Sequence, residues 1–469
     1  MTAVATQVLG WEDDPGAPDA ANTPVPRPVP DPSKDPLPSA IDGTAPKPDE
    51  YDPGSSQFRY WVAADALRRV ADYWGAILGD VAWHSSVGDK LRIVLDEGRD
   101  FNAFYDREGL HFFHDTTPDG TTCFSDNSAD VVCHEFGHAV LDAIRPQLWD
   151  AANLEVPAFH ESFGDMTSML TELQLESVRE TVIAGTGGKL ARSSRLSRLA
   201  EQLGWAIRQT APDAVDGDCL RNAANSFFYS DPLTLPPSAP ANQLSSEPHS
   251  FSRVFSGAFL SSLAGMFSTT DGGSDSLQKV SVDLGTLLVD AVKATPVVAA
   301  YYSQVAAHVL ALAQQRFPDN GYVDALRAGF VAHGILALQH TTVTLSDAGR
   351  ALGIVPRVAP TELTPMALSG TPYGLGEDVL VRVGAEPKRF AVASAAPEGG
   401  AVEGAPQDRV AAGFVEDLFR RGHVRIDAQL RTGAEVVRDR SVHTHEIVRD
   451  DGALVLRRRV FDCGFRAGA

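Results

Sequence analysis

Residues 130–140, which read Asp-Val-Val-Cys-His-Glu-Phe-Gly-His-Ala-Val, constrain this chain more than any other stretch. Apolar residues recur through them at roughly helical spacing, and Pro146 follows as a stop signal, so the stretch is predicted to be a helix. On a helix, His134 and His138 lie one turn apart on one face, where both imidazoles can reach the same metal ion. Glu135 then lies beside a metal-bound water. This His-Glu-x-x-His spacing predicts a zinc site.

Two imidazoles leave such a site incomplete, because a catalytic zinc normally has three protein ligands and a water. Residues 160–165, His-Glu-Ser-Phe-Gly-Asp, offer the third. On a helix, Glu161 could bind the metal while Asp165, four positions later, accepts the free N–H of a ligand histidine. Removing Glu161 should then release the metal. The alternatives are a chance His-Glu-x-x-His on a surface helix and a solvated acidic face.

Together these stretches resemble the thermolysin-like metallopeptidases, zinc peptidases in which a glutamate is the third ligand. Residues 130–140 are similar to that family's Asp-Val-Val-x-His-Glu-x-x-His-Ala-Val, and Glu161 and Asp165 are similar to its Glu-x-x-x-Asp. The spacing from His138 to Glu161 is slightly longer than is usual there. The resemblance covers roughly residues 57–338 and leaves both ends unexplained.

Three further landmarks follow the family's order along the chain. Residues 102–105, Asn-Ala-Phe-Tyr, resemble its edge strand, in which the equivalents of Asn102 and Ala103 hold an extended substrate. Such a peptide can add to an open sheet edge through backbone hydrogen bonds. Arg221 resembles the arginine that grips a substrate carbonyl, and His249 lies where the family keeps its transition-state histidine. Taken singly, Asn102 would be an ordinary turn residue and His249 a surface residue.

The resemblance implies a zinc-dependent endopeptidase that acts on peptide or protein substrates. His134, His138 and Glu161 would hold Zn²⁺ and polarise a bound water. Glu135 would be the general base that takes the proton of that water, and His249 would help to stabilise the oxyanion.

Several positions depart from the family pattern. Trp149 stands where the family has a tyrosine that helps to bind the oxyanion, so its indole N–H becomes the candidate contact. Leu244 replaces the aspartate that supports the histidine, and Glu247 is expected to substitute for it. Glu172 matches one calcium-binding carboxylate of the family. Residues 177–200, however, lack the dense Asp and Glu that a stable calcium site needs, so Ca²⁺ binding is left open.

The rival hypothesis is a catalytically weak or inactive peptidase fold that acts as a binding scaffold, with the C-terminal module responsible for recognition. Retention of Glu135 argues against it. A scaffold needs neither a general base nor a complete set of metal ligands.

A formal charge of −21 over 469 residues argues against nucleic acid as a partner, because phosphate contacts need clustered Lys and Arg. No apolar run approaches the ~20 residues of a membrane span, so no membrane partner is expected. The first residues lack a basic region followed by an apolar core. The sequence therefore predicts a cytoplasmic protein, or one exported by a route without a recognisable signal peptide. It does not indicate an oligomeric state.

Changes in composition divide the chain into four parts, with an overall α+β fold class. Residues 1–56 hold 12 of the 30 prolines and few large apolar residues, which predicts a disordered or extended arm. Residues 57–150 predict a strand-rich lobe that ends in the zinc helix, and residues 151–338 a mainly helical lobe, as in a thermolysin-like two-lobe enzyme. Residues 345–469 predict a separate α+β or β-rich module of unknown role, without a recognisable catalytic group.

The four cysteines, Cys123, Cys133, Cys219 and Cys463, are too widely spread for a disulfide framework or a Cys-x-x-Cys metal site. Each is therefore predicted to be an ordinary buried thiol, and Cys133, next to His134, is predicted to pack inward as a small apolar residue.

Overall fold

The computed structural model describes residues 6–31, 34–337, 362–384, 406–430 and 443–464. Its β-strands are β1 (Gln7–Gly10), β2 (Val25–Pro28), β3 (Ser39–Ile41), β4 (Leu91–Val94), β5 (Ala103–Tyr105), β6 (Gly109–Phe112), β7 (His114–Thr116), β8 (Thr122–Phe124), β9 (Arg198–Leu199), β10 (Arg221–Asn222), β11 (Thr364–Leu368), β12 (Val379–Val383), β13 (Val424–Ile426), β14 (His445–Asp450), β15 (Ala453–Arg458) and β16 (Phe461–Asp462). Its α-helices are α1 (Ser56–Leu78), α2 (Ala129–Ile144), α3 (Glu155–Glu172), α4 (Glu176–Thr186), α5 (Glu201–Arg208), α6 (Pro248–Phe267), α7 (Ser274–Ala294), α8 (Tyr301–Arg316), α9 (Tyr322–Ala332) and α10 (Gln407–Arg420).

A five-stranded sheet in the order β16-β5-β6-β4-β3 forms one wall of the molecule. β5 and β6 pair antiparallel, with Ala103 opposite Phe112, while β4 joins β6 and β3 joins β4 in parallel. β16 pairs antiparallel with β5 from the far end of the chain. Segments close to both chain ends therefore form the two edges of this sheet.

The helices pack around α3, which is buried along its whole length. Ser128 caps the start of α2 by accepting a hydrogen bond from the Val131 amide, and the helix ends just before Pro146, as predicted. Trp74 of α1 stacks on Phe163 of α3, with ring centroids 5.3 Å apart. In the described part of the chain, none of the helices combines the length and apolar character that a membrane crossing requires.

Two glycines allow α2 and α3 to approach closely. A Cβ added to Gly137 of α2 would lie 3.1 Å from the Cα of Gly164 on α3, which is tighter than most such contacts. The absence of side chains at this crossing lets the two helices bring their functional residues together.

Residues 1–56 were predicted to be a disordered or extended arm. The described part of this arm is ordered and includes the extended strands β1, β2 and β3, so only the disordered alternative is wrong there. β1 and β2 pair antiparallel, and β3 extends the five-stranded sheet. Trp11 packs edge-on against Phe58 of α1, with centroids 5.4 Å apart, and Asp13 accepts a 2.7 Å hydrogen bond from Arg195. The arm has too few apolar residues for a core of its own, but those it has are buried against the helices.

The C-terminal module has a second five-stranded sheet, in the order β11-β12-β15-β14-β13, with α10 packed against it. The sequence predicts strands at residues 379–383, 389–393, 423–427, 445–448 and 453–461 and a helix at 406–421. β12, β13, β14, β15 and α10 lie at these places, whereas β11 was not predicted and residues 459–462 leave the module's sheet to form β16. The strand predicted at residues 389–393 lies outside the described residues. The module has its own hydrophobic core, which includes Phe414 of α10 and Ile447 of β14.

The sequence suggested that this module is separate, but the structure shows it packed against the preceding lobes. Ala152 and Leu154, which precede α3, are part of its core. The Arg458 side chain donates a 2.8 Å hydrogen bond to the Trp149 carbonyl. β16, which follows the last strand of the module's sheet, belongs to the other sheet, because it pairs with β5.

Candidate metal centre and active-site cleft

α2 and α3 bring the three predicted metal ligands to one point. His134 and His138 project from one face of α2, with ring centroids 4.9 Å apart. Glu161 faces them from α3: its Oε2 lies 3.3 Å from His134 Nε2, and its Oε1 lies 3.7 Å from His138 Nε2. All three side chains are buried. The structure thus places the two motifs as the sequence predicted.

Cys463 lies in the same cluster. Its Sγ is 3.4 Å from Nε2 of both His134 and His138, and 3.7 Å from Glu161 Oε2. One potential ligand atom from each of these four residues lies within 4.8 Å of the others. Two imidazole nitrogens, a carboxylate oxygen and a sulfur are a donor set that suits tetrahedral zinc. The residues present therefore fit a zinc ion.

The prediction that Cys463 is an ordinary buried thiol is wrong, because this residue is half-buried and lies in the cluster of possible metal ligands. The other three cysteines are buried and free of disulfide bonds, as expected. Cys463 is separated from Glu161 by 302 positions in the sequence, so no local spacing pattern links them.

Two of the predicted ligands are held in the form that binds metal. Burial alone would raise the pKa of Glu161, but its interactions with His249, His138 and His134 outweigh burial and lower this pKa to about 2. Burial lowers the pKa of His138 to about 3, which leaves a neutral imidazole. Glu161 is therefore a carboxylate and His138 a free base at neutral pH, as metal ligation requires.

Asp165 connects His134 to Arg221. Its Oδ1 lies 3.1 Å from His134 Nδ1 and accepts a 2.8 Å hydrogen bond from Arg221. Ser256 donates a further hydrogen bond of 3.1 Å to Oδ2. Burial would raise the pKa of Asp165, but Arg221 and His134 hold it well below its usual range. The predicted contact between Asp165 and a histidine of the metal cluster is present, and it fixes the ring so that Nε2 faces the cluster.

Arg221 is predicted to bind a substrate carbonyl. In the structure it forms an ion pair with Asp165 and also lines the cleft. The guanidinium is almost entirely buried, and it offers several N–H donors in a fixed plane. The N–H groups of Arg221 that do not bind Asp165 could donate hydrogen bonds to a substrate carbonyl. The position of Arg221 is therefore compatible with the predicted contact to substrate.

Glu135 is fully buried and lines a small cavity together with Ala103 and Cys463. Burial raises its pKa to about 7, because it disfavours the carboxylate more than the charge of His134 and the Cys463 thiol stabilise it. A carboxyl group that titrates near neutral pH can both accept and return a proton, as a general base must.

His249 enters the site from the first turn of α6. Its Nε2 lies 3.2 Å from Glu161 Oε2, and its Nδ1 lies 2.7 Å from Glu247 Oε1. Glu247 also caps α6 by accepting a hydrogen bond from the Ser250 amide. Glu247 thus supplies the supporting carboxylate that was expected to replace the family's aspartate. Burial lowers the pKa of His249, but Glu161 and Glu247 raise it to about 9, so its imidazole is cationic.

Trp149 is part of the wall rather than of the cluster. Its ring meets Tyr105 and Phe461 edge-on, with centroids 5.6 and 5.2 Å apart, and the Arg107 guanidinium lies over it. The structure therefore shows Trp149 as a packing partner of Phe461, and its oxyanion contact stays a prediction.

The predicted substrate-binding residues contact the protein's own C-terminal segment. Asn102 donates a 2.7 Å hydrogen bond through Nδ2 to Asp462 Oδ1, and the Cys463 amide donates a 3.0 Å hydrogen bond to the Ala103 carbonyl. The prediction of an open edge at residues 102–105 is wrong in this structure, because β16 covers that edge. A sequence-based assignment of strands does not show which distant strand pairs with which edge.

A cleft of about 720 Å³ opens beside the metal cluster. It runs between the helical lobe and the C-terminal module, and its lining includes Glu161, Arg221, His249, Phe414, Phe461 and Cys463. Apolar residues such as Leu220 and Val215 also line this cleft. The cleft can therefore hold a chain of several residues beside the cluster.

Glu172, which matches a calcium ligand of the family, lies in a buried acidic group with Asp130. Burial raises the pKa of Asp130 to about 8, and burial together with the Asp130 charge raises the pKa of Glu172 well above its usual value. Across the described residues, the cluster with metal-ligand geometry is the one at His134. Calcium binding at Glu172 stays a prediction.

Gly164 is essential for the position of His134. A Cβ at Gly164 would lie 2.5 Å from Nδ1 and Cε1 of His134, so Gly164→Ala must displace that ring. Because a displaced ligand weakens zinc binding, we expect the zinc affinity to fall ~10–100-fold. Competition with a chromophoric chelator measures this affinity. Gly185→Ala is the matched control, since Gly185 is an exposed helical glycine with open space around it. Equal zinc affinity in the two variants would contradict the close approach.

Comparisons with known proteins do not assign the chain to a family. No family model matches the sequence, and no curated protein matches it. The functional assignment therefore depends on the residues of the site and on their geometry.

Proposed function

We propose that the protein is a zinc metallopeptidase of the thermolysin-like type, in which two histidines and a glutamate hold the metal. More specifically, we propose an endopeptidase that hydrolyses peptide bonds within polypeptides. The observation that carries the proposal is the convergence of His134, His138 and Glu161 beside the buried Glu135. Zinc, when bound there, would supply Lewis-acid chemistry and lower the pKa of a bound water toward ~7.

The protein's own residues would perform the proton transfers and stabilise charge. Glu135 accepts the proton of the attacking water and then delivers it to the leaving amine, and a pKa of about 7 suits both steps. The cationic His249, supported by Glu247, donates a hydrogen bond to the oxyanion that develops on the scissile carbonyl. Asp165 keeps the His134 ring oriented throughout.

An extended polypeptide suits the groups around the cluster. The Asn102 amide and the Ala103 carbonyl provide hydrogen bonds at the edge of β5, where they already hold a backbone segment. The apolar wall near Arg221 favours a bulky apolar residue immediately after the cut. One methylene changes such a preference by only ~1–3 kcal/mol, so we expect broad selectivity.

The second candidate is a metal-binding scaffold without peptidase activity. The observation that favours it is that β16 and Cys463 occupy the edge of β5 and the metal cluster. The buried Glu135 argues against it, because burying a carboxyl group is costly and a scaffold gains nothing from it.

Metal analysis together with mass spectrometry of digested, denatured proteins tests the proposal in the native chain and in Cys463→Ser. We expect about one zinc per chain and internal cuts on the N-terminal side of bulky apolar residues. Products trimmed one residue at a time would contradict the endopeptidase, and cuts clustered after basic residues would contradict the apolar pocket. No cleavage by either zinc-loaded chain would contradict the peptidase itself.

A further inference from the structure

The last described residues, Phe461 to Gly464, lie along the candidate active site as a bound peptide would. Phe461 and Asp462 pair antiparallel with Tyr105 and Phe104 of β5. The Cys463 amide continues the ladder with its hydrogen bond to the Ala103 carbonyl. This segment, which we call the C-terminal strap, adds a strand to the edge that an extended substrate would need.

Side chains of the strap fit the site closely on both sides of Cys463. Asp462 accepts the hydrogen bond from Asn102. A Cβ at Gly464 would lie 2.5 Å from Asn102 Cγ, so a glycine is required for the strap to pass Asn102 at this distance. Phe461 stacks on the rings of His160 and His138, with centroids 3.8 and 5.2 Å apart, and is buried in the main core.

A buried arginine fixes the strap to the body of the molecule. Arg458, at the end of β15, donates a hydrogen bond to the Trp149 carbonyl, and its guanidinium lies 4.2 Å from the Phe461 ring centroid. The strap is therefore anchored to the C-terminal module at one end and to the substrate edge at the other. Because it belongs to the same chain, its effective concentration at the site is high.

The group that the strap presents to the metal cluster is a thiol. Cys463 Sγ is equidistant from the two histidine nitrogens, and thiolate sulfur is a strong ligand for zinc. The strap therefore blocks the cluster with the thiol side chain of Cys463. A thiol contains no peptide bond, so the enzyme cannot hydrolyse the group that blocks it.

We propose that the C-terminal strap is a built-in inhibitor, in which Cys463 binds the catalytic zinc as a thiolate and keeps the peptidase latent until the strap leaves the cleft. On ligation a zinc–sulfur bond forms as the S–H bond breaks, and the proton leaves to solvent. The strap therefore blocks the metal and the substrate edge together. The latency rests on the proposed peptidase function, whereas the zinc–thiolate bond does not.

Cobalt substitution tests the metal–sulfur bond without an activity measurement. In the full-length chain loaded with Co²⁺, a thiolate ligand should give a sulfur-to-cobalt charge-transfer absorption in the near ultraviolet. We expect this absorption in the native chain and its loss in Cys463→Ser. Cys123→Ser is the matched control, since Cys123 is a buried thiol outside the cluster, and it should retain the absorption. Persistence of the absorption in Cys463→Ser would overturn the proposed ligand.

Peptide cleavage tests latency in the same zinc-loaded proteins. We expect Cys463→Ser to cleave at least ten-fold faster than the native chain. Asp462→Ala, which keeps the thiol but loses the hydrogen bond to Asn102, should give a smaller increase, and it provides a second measurement if Cys463→Ser folds poorly. Equal cleavage by the native chain and both variants would overturn the latency and leave the peptidase intact. Loss of the cobalt absorption in Cys463→Ser, with no cleavage by any chain, would reject the peptidase and its latency but keep the metal–thiolate bond.

Discussion

Glu135→Gln is expected to keep its zinc and its fold and to lose peptidase activity by several orders of magnitude. Glutamine has nearly the same shape as glutamate, and Glu135 is outside the cluster of His134, His138, Glu161 and Cys463. The ligands and their buried surroundings should therefore be unchanged. What disappears is the proposed transfer of a proton to and from the reacting atoms, which a glutamine amide cannot perform.

The measurement is kcat/KM on a quenched peptide, made in the Cys463→Ser background so that the strap does not mask the effect. Zinc content and the midpoint of thermal unfolding are recorded on the same samples, and both should match the parent protein. Glu108→Gln is the matched control, because Glu108 is exposed and the chemical change is identical. Undiminished cleavage in Glu135→Gln would mean that the protein uses a different mechanism.

The ligands of the metal site could be predicted because their relations are local. His134 and His138 are one helical turn apart, as are Glu161 and Asp165, so each pair shares a face once its helix forms. Such spacing also predicted that Asp165 would contact a histidine of the cluster. The crossing of α2 and α3 at Gly137 then joins the two pairs. The sequence suggested this meeting because two histidines need a third ligand, and the resemblance supported it.

Cys463 could not be predicted in this way, because its contacts depend on tertiary structure alone. The strap reaches the cluster only after the C-terminal module has formed its own sheet and packed on the residues that precede α3. No periodicity or short motif around residues 460–464 shows this docking. The folded structure shows this cysteine beside two histidine nitrogens, but the sequence around it gives no sign of that contact.

The prediction of disorder in the N-terminal arm was wrong for a related reason. Composition shows whether a segment can bury enough apolar surface by itself, and this one cannot. It does not show whether the rest of the chain provides a surface for the few apolar residues present. Trp11 packs on Phe58 of α1, and the acidic Asp13 pairs with Arg195, so the arm is ordered by partners far away in the sequence.

The strap also gives the C-terminal module a role that its sequence did not suggest. The module carries its own core, yet its strand β15 ends at the buried Arg458 and is followed by β16. If the strap acts as the proposed inhibitor, it depends on the docked module, because only two residues separate β15 from β16. Conditions that loosen the module should expose the thiol and the substrate edge together.

Combined removal of Glu161 and Cys463 is expected to abolish zinc binding, whereas removal of either one is not. The sequence alone suggested that Glu161→Ala would release the metal, because two histidines make an incomplete site. The structure changes this expectation. In Glu161→Ala, His134, His138 and Cys463 still provide three ligands, and in Cys463→Ser the two histidines and Glu161 do so.

Zinc per chain after dialysis against a weak chelator, measured for the four proteins of this double-mutant cycle, tests the shared role of the two residues. The native chain and both single variants should keep about one zinc, and Glu161→Ala/Cys463→Ser should keep almost none, a strongly non-additive result. A complete loss from Glu161→Ala alone would show that Cys463 does not bind the metal. Retention of zinc by the double variant would show that the metal is held elsewhere, and His134→Ala would then have no effect on zinc content either.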